Sequence, residues 1–474
     1  MVFSSLSFLF QFFPVTFLLY AAVPHAKFRN ALLILASLVF YAWGEPVYIL
    51  LLLASVFFNW LLALALGSRE TGRKAVAAAA IVLNIGLLVV FKYSGFLVES
   101  VNALLRLSLP VPAIRLPIGI SFFTFQTLSY VIDVYRDKSS LQKSFFRLLL
   151  YISFFPQLIA GPIVKYHDIK DQLERRTLSF DGCAHGFKRF LYGLAKKVLI
   201  ANVMAVAADY AFGLPAGSLT APAAWLGAVA YMLQIYFDFS GYSDMAIGLG
   251  KLFGFDFKEN FRYPYAAVGI KDFWRKWHIS LSTWFKEYLY IPLGGNRKGK
   301  ARTYLNQLIV FSCTGLWHGA NVTFLVWGLF HGLFLILESA NILPVKRASK
   351  HPAGRLLVRV YTLLVVLVGF TVFRADTMTQ AVQYIGAMFT GGPGSAADMA
   401  QAVTYLTPWF LCVAAVACVT SFPVCPAMES RLRRSGRGEA VYTAVSYGLS
   451  AALFALCILS LAADTYNPFI YFRF

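Results

Sequence analysis

The sequence predicts an all-α polytopic membrane protein, and three observations carry that prediction. Of the 474 residues, 59% are hydrophobic and 14% charged, whereas soluble domains run near half and a quarter. The apolar residues gather in blocks of roughly 17 to 23, the length that crosses about 30 Å of hydrocarbon at 1.5 Å per residue. The 42 Lys and Arg exceed the 22 Asp and Glu by a formal +20, and the cations lie between the apolar blocks, the positive-inside pattern of a multi-pass chain. A water-soluble enzyme is excluded on composition. Nucleic-acid binding is excluded because no basic face of a soluble surface is left to form.

Taken in order, the first blocks cover 5–23, 31–43, 47–66 and 75–91. Lys27 and Arg29 follow the first, Gly44, Glu45 and Pro46 separate the second from the third, and Arg69, Arg73 and Lys74 follow the third. With cations inside, the N-terminus is outside, and the second and third blocks form a hairpin at the outer face. The first block has no basic n-region before it, so it is expected to stay as a membrane helix rather than be cleaved.

At the far end, Arg355 and Arg359 precede a block at 360–373, residues 375–402 hold no Lys or Arg, and a block at 403–422 follows. Arg431, Arg433, Arg434 and Arg437 then precede the last block, 440–462, which places the C-terminus outside as well. Residues 136–147, 165–197 and 251–302 carry most remaining cations and are expected as cytoplasmic loops and surface helices. Segments 116–132 and 145–163, interrupted by Pro117, Pro156 and Pro162, are expected to include re-entrant pieces. The expectation is one domain over 1–474, with roughly ten to twelve crossings, an even number if both termini are outside. Cys183, Cys313, Cys412, Cys418, Cys425 and Cys457 contain no CxxC pair and are expected as buried, unpaired thiols, with no disulfide framework and no metal site.

Residues 304–338, YLNQLIVFSCTGLWHGANVTFLVWGLFHGLFLILE, are nearly uncharged between flanking cations. The chain must enter the membrane and return, with its turn at Gly319, Ala320 and Asn321. The 15 residues from Thr303 to Trp317 make about 22 Å of helix, short of the roughly 30 Å hydrocarbon core. His318 is therefore expected deep in the membrane, where an ionisable side chain is a functional candidate by default. The alternative is a histidine that hydrogen-bonds across a helix interface, for which Gly315 and Gly319 supply a small-xxx-small surface. GLWHG at 315–319 is echoed by GLFHG at 328–332, which makes His331 a competitor. Spacing alone does not choose between them, though the break beside His318 favours it.

A second constellation occupies residues 271–300. Trp274, Trp277, His278, Leu281, Trp284, Phe285 and Tyr288 fall on an i, i+3, i+4, i+7 stripe, with Arg275, Lys276 and Lys286 off it. This predicts an amphipathic helix on or dipping into the cytoplasmic leaflet, with His278 facing inward. Anchoring by Trp and Lys/Arg explains most of these residues but not the imidazole on the apolar stripe. The turn at Gly294, Gly295 and Asn296, followed by Arg297, Lys298 and Lys300, is a basic loop suited to the phosphates of lipid or of a nucleotide-bearing cofactor. A third stretch, 234–250, sets Asp238, Ser240, Tyr242 and Asp244 beside an apolar block. Carboxylates there must be paired or hold a cation, so a structural network competes with a substrate-binding role.

FWRKWHISLSTWFKEYLYIPLGGNRKGK, then LWHGAN, with QIYFDFSGYSDMAIG upstream and the closing NPFIYFRF, resembles the membrane-bound O-acyltransferase family, in its bacterial branch of envelope-polymer modification. The likeness covers nearly the whole chain. It implies about eleven membrane helices around a tunnel, a count that would put the termini on opposite sides, against the loop charges. Its motif positions fall on His318 and His278 as catalytic residues, and His331 matches none.

The resemblance further implies transfer of an acetyl group from cytoplasmic acetyl-CoA, with no metal, for O-acetylation of an extracytoplasmic polysaccharide. His318 would act as base, His278 would orient donor or acceptor or stabilise the oxyanion, and Asn321 would bond to His318 or to substrate, with Trp317 beside it. The implied setting is the bacterial inner membrane, among its lipids, with a separate periplasmic polysaccharide acetyltransferase as partner and no nucleic acid. An acyl-enzyme on Cys313 is the competing mechanism, disfavoured because an apolar setting blunts a thiol. A transporter or flippase, or a non-catalytic scaffold of a polysaccharide-export complex, are the competing functions.

Overall fold

The computed structural model describes residues 1–433, 438–463 and 469–470, whose regular structure is helical, with no strand among them. They divide into two compact units, residues 1–190 with 243–259, and residues 191–242 with 260–474. The chain changes unit inside two helices, Phe180–Gly213 and Ala221–Leu252.

Among the described residues, six helices are long and apolar enough to cross a membrane: Tyr48–Ser68, Arg73–Leu105, Phe180–Gly213, Val322–Ser339, Pro352–Arg374 and Gly438–Ala463. Ala396–Thr404 and Pro408–Thr420, bent by 72°, make a seventh if they count as one span. The loop charges predict ten to twelve. The difference lies in short or interrupted elements, such as Phe8–Ala22 and the 17-residue Ala26–Ala42, which lie below or at the shortest length of a crossing. Leu50, Val82, Leu357 and Leu459 are each about two-thirds exposed or more on the long helices. Such an apolar exterior suits hydrocarbon and not water. All six cysteines are free, but Cys412, Cys418 and Cys425 are exposed rather than buried, because the helix faces that carry them turn outward.

In the first unit, helix Ile120–Arg136 is enclosed on all sides, with 13 of its 17 residues buried. One of its polar positions, Thr127, joins a buried amide pair on neighbouring helices. Asn84 Nδ2 donates to Asn59 Oδ1 at 2.7 Å, and Thr127 Oγ1 donates to Asn84 Oδ1 at 2.7 Å. The segment expected to be re-entrant, 145–163, consists of helices Phe145–Ser153 and Phe155–Leu158, broken at Phe154 and buried almost throughout.

In the second unit, helices Gly299–His318 and Val322–Ser339 form a tight antiparallel hairpin whose break spans Gly319 to Asn321. The echoed motifs explain how close these helices come. A Cβ on Gly315 would lie 2.2 Å from Phe324 O, and one on Gly328 would lie 2.2 Å from Phe311 O. The first glycines of the two motifs face each other at the crossing, so the echo records packing of the hairpin. Gly319 is required for a similar reason, since its Cβ would lie 2.1 Å from the Phe324 ring.

Gly328→Ala is expected to force the helices apart and cost about 1–3 kcal/mol, the usual range for overpacking. Gly386→Ala, where a Cβ meets nothing within 4 Å, is expected to be neutral. Thermal unfolding of the two variants in detergent distinguishes them.

Candidate active site

His318 is the last residue of its helix and is 7% exposed. Three aromatic rings enclose it: Trp317 at 5.0 Å between centroids, Trp327 at 5.2 Å and Phe373 at 5.2 Å, all near perpendicular. The short first helix thus delivers an imidazole into an apolar aromatic chamber at the point where the backbone breaks.

The stretch expected as one amphipathic helix is broken instead. Helix Ile270–Trp274 stops, and helix Ile279–Phe285 starts from His278 with a positive φ of 43°. All seven stripe residues are buried against protein, from 1% exposed at His278 to 8% at Tyr288, so the stripe faces the core and not the leaflet. Arg275 and Lys286 remain exposed. Left-handed backbone at a non-glycine residue costs on the order of 1 kcal/mol or more, and such strain clusters at functional sites.

The partner that stabilises the break is Asn260, fully buried and not signalled by the sequence pattern. Ser280 donates to Asn260 Oδ1 from its backbone N at 3.2 Å and from its hydroxyl at 2.9 Å. A backbone N–H can only donate, so the atom it meets is the amide oxygen. His278 Nδ1 lies 3.2 Å from the same oxygen and therefore carries the ring proton. Burial pushes the His278 pKa down to about 3, so the ring is neutral and presents a bare lone pair at Nε2, which has no hydrogen-bond partner. This tautomer accepts a hydrogen bond from a hydroxyl. Trp317 joins the two histidines, lying 6.0 Å from His278 and 5.0 Å from His318 between centroids.

The remaining sequence candidates are placed differently. Asn321 caps helix Val322–Ser339, accepting from Thr323 N at 3.1 Å, and its Nδ2 donates to Asp376 O at 2.9 Å. It is engaged in closing the turn. Asp238, 1% exposed, pairs with Lys197 at 2.9 Å and accepts from the backbone N of Ile470 at 2.7 Å. Tyr242 stacks on Phe469 at 4.6 Å. Ser240 is buried and its hydroxyl has no hydrogen-bond partner.

Asp244 belongs to the other unit, where Arg189 grips it through Nε at 2.8 Å and Nη2 at 2.6 Å and also reaches Glu259 at 2.6 Å. Both carboxylates are thus paired, as burial requires. Lys197, expected on a cytoplasmic surface, is instead buried within a membrane-length helix. A cation inside an apolar run was the signal for it. Lys197 sits on a π-helical turn, Lys196–Ala201. No group of three His, Cys, Asp or Glu able to hold a metal occurs among the described residues.

This arrangement can be set beside known proteins. Residues 93–375, more than half the chain, match the model of the membrane-bound O-acyltransferase family. The chain is 40% identical, over 100% of both sequences, to the probable alginate O-acetylase AlgI of Pseudomonas putida. It is 33% identical to the peptidoglycan O-acetyltransferase of Helicobacter pylori, covering 100% of this chain and 98% of that one. It is 28% identical to the teichoic acid D-alanyltransferase of Bacillus subtilis over 46% of this chain and 58% of that protein. With full-length likeness to two O-acetyl-transferring proteins and both motif histidines buried around one tryptophan, the chain belongs to the membrane-bound O-acyltransferase family and is a multi-pass membrane O-acyltransferase.

Proposed function

We propose that this protein takes an acetyl group from cytoplasmic acetyl-CoA and passes it across the membrane for O-acetylation of an extracytoplasmic polysaccharide, with His318 as general base. The observation that carries this reading is the burial of His318 at a helix end inside an aromatic chamber, one ring away from a neutral His278. The two full-length relatives named for O-acetylation support acetyl as the group transferred.

In the reaction, an acceptor hydroxyl attacks the thioester carbonyl while His318 takes the hydroxyl proton, a step commonly worth roughly 10²–10⁴-fold. The tetrahedral intermediate expels the thiolate, which recovers that proton from the imidazolium, leaving an O-acetyl ester and free CoA thiol. His278 Nε2, a bare acceptor, orients the substrate through a donor group other than the attacking hydroxyl, whose single proton goes to His318. Trp317 and Ser240 line the approach of substrate. The exposed cations Arg297, Lys298 and Lys300 meet the phosphates of the donor. Asp238, Tyr242, Asp244 and Asn321 act indirectly, by holding the framework. The protein resides in a bacterial inner membrane with both termini outside, and a periplasmic polysaccharide acetyltransferase takes the acyl group onward.

Purified protein in nanodiscs with radiolabelled acetyl-CoA and the periplasmic partner tests this. His318→Ala is expected to lower CoA release by about 10²–10⁴-fold, and Cys313→Ala to retain it. A wild-type rate in folded His318→Ala removes the base, and loss of activity in Cys313→Ala revives the covalent route.

His278 permits separate tests of its backbone and its ring. Asparagine tolerates left-handed backbone better than alanine. His278→Asn is therefore expected to fold normally and transfer at least tenfold more slowly, about 1.4 kcal/mol in barrier. His278→Ala should add a loss of thermal stability on top of the slower transfer.

A further inference from the structure

The proposed chemistry leaves one buried imidazole without a task. His331 lies thirteen residues beyond His318 on the second arm of the hairpin and is 0% exposed. Neither ring nitrogen has a hydrogen-bond partner. Its surroundings are rings. Trp274 lies 5.2 Å away, Trp327 5.3 Å and Phe330 5.5 Å, all edge to face, and Phe273 is parallel at 6.4 Å. Helix Pro352–Arg374 closes the cage at Gly369, where an added Cβ would stand 2.6 Å from His331 Nε2.

Two of these neighbours lead to the two motif histidines. Trp327, which contacts His331 on one side, forms a wall of the chamber around His318. Phe273 stacks on Trp277 at 5.5 Å and 17°, and Trp277 directly precedes His278. The imidazole is therefore the joint between the element that carries His278 and the arm that backs His318.

We propose that His331 is a positioning residue: it holds Trp327 against His318 and the Phe273–Trp277 pair beside His278, so that both histidines keep one geometry for acyl transfer. This rests on the reading of His318 as the base. The contribution comes from the volume the ring fills, since its nitrogens bond to nothing. A displacement near 1 Å at a reacting group can cost about 10²-fold in rate. The effect belongs in kcat, because His331 lies behind the chamber wall.

The test measures kcat and KM per monodisperse, folded protein for wild type, His318→Ala, His331→Ala, His331→Leu, Gly369→Ala and the double variant His331→Ala/Gly369→Ala. His331→Ala is expected to lower kcat about 10- to 100-fold, with KM within about twofold. His331→Leu, which refills the volume without nitrogens, should recover most of the rate. Gly369→Ala should lower kcat while His331 is present and have no further effect once the imidazole is gone, the non-additivity expected of residues that act through one contact.

Wild-type kcat in both His331→Ala and Gly369→Ala overturns the inference. A folded His331→Leu as slow as His331→Ala also overturns it, since the nitrogens would then be acting. So do additive losses in the double variant. If His331→Ala does not fold, the Leu and Gly369→Ala variants decide alone. A wild type that releases no CoA defeats the acyltransfer reading itself, whereas a large His318→Ala defect beside unaffected His331 variants defeats this inference only.

Discussion

The approach of two helix backbones at Gly315 and Gly328 is the constraint from which the catalytic region follows. Backbone carbonyls of one arm sit where side chains of the other would begin. That contact lets the hairpin turn within three residues and leaves His318 at a helix end among aromatic rings. In hydrocarbon an unpaired backbone end is costly, and Asn321 answers part of that cost by capping the returning helix. The amide side chain three residues past His318 is thus occupied with architecture, and further polar groups come from elsewhere in the chain.

His278 comes from a different local problem. A continuous amphipathic helix through 271–290 would carry it as one more buried position. Instead the chain breaks there, with Asn260 as the common acceptor for Ser280 and the imidazole. One side-chain oxygen fixes the turn, the ring orientation and the tautomer together. A second imidazole 13 residues beyond His318, in the same kind of aromatic surroundings, bonds to nothing through its nitrogens. Burial alone does not distinguish a reactive histidine from a packed one. The position of the helix break separates them, since His318 ends its helix and His331 lies within one.

Much of this was legible in the residues. The membrane class, the long apolar helices, the break at 319–321 and the need to pair Asp238 and Asp244 follow from hydropathy, length and the cost of buried charge. What escaped was long-range. Asn260 acts on a residue 18 positions away, and Asp238 on one 232 positions away, separations at which periodicity is silent. The stripe through Trp274 and Tyr288 was read correctly as one buried face but assigned to lipid, because sequence distinguishes apolar from polar and not lipid from protein. Lys197 was grouped with surface cations, although its apolar neighbours, VLIANV, marked it as buried.

The bond from Ile470 to Asp238 also has a timetable. The ribosome delivers Asp238 well before Ile470, by 232 residues, an interval of roughly 10 to 50 seconds at bacterial elongation rates of about 5–20 residues per second. Throughout it, Lys197 is the charged partner already made. Earlier synthesis of the cation allows the buried carboxylate to be compensated before residue 470 exists. The Ile470 amide then adds a second bond to an ion pair that persists in the finished fold.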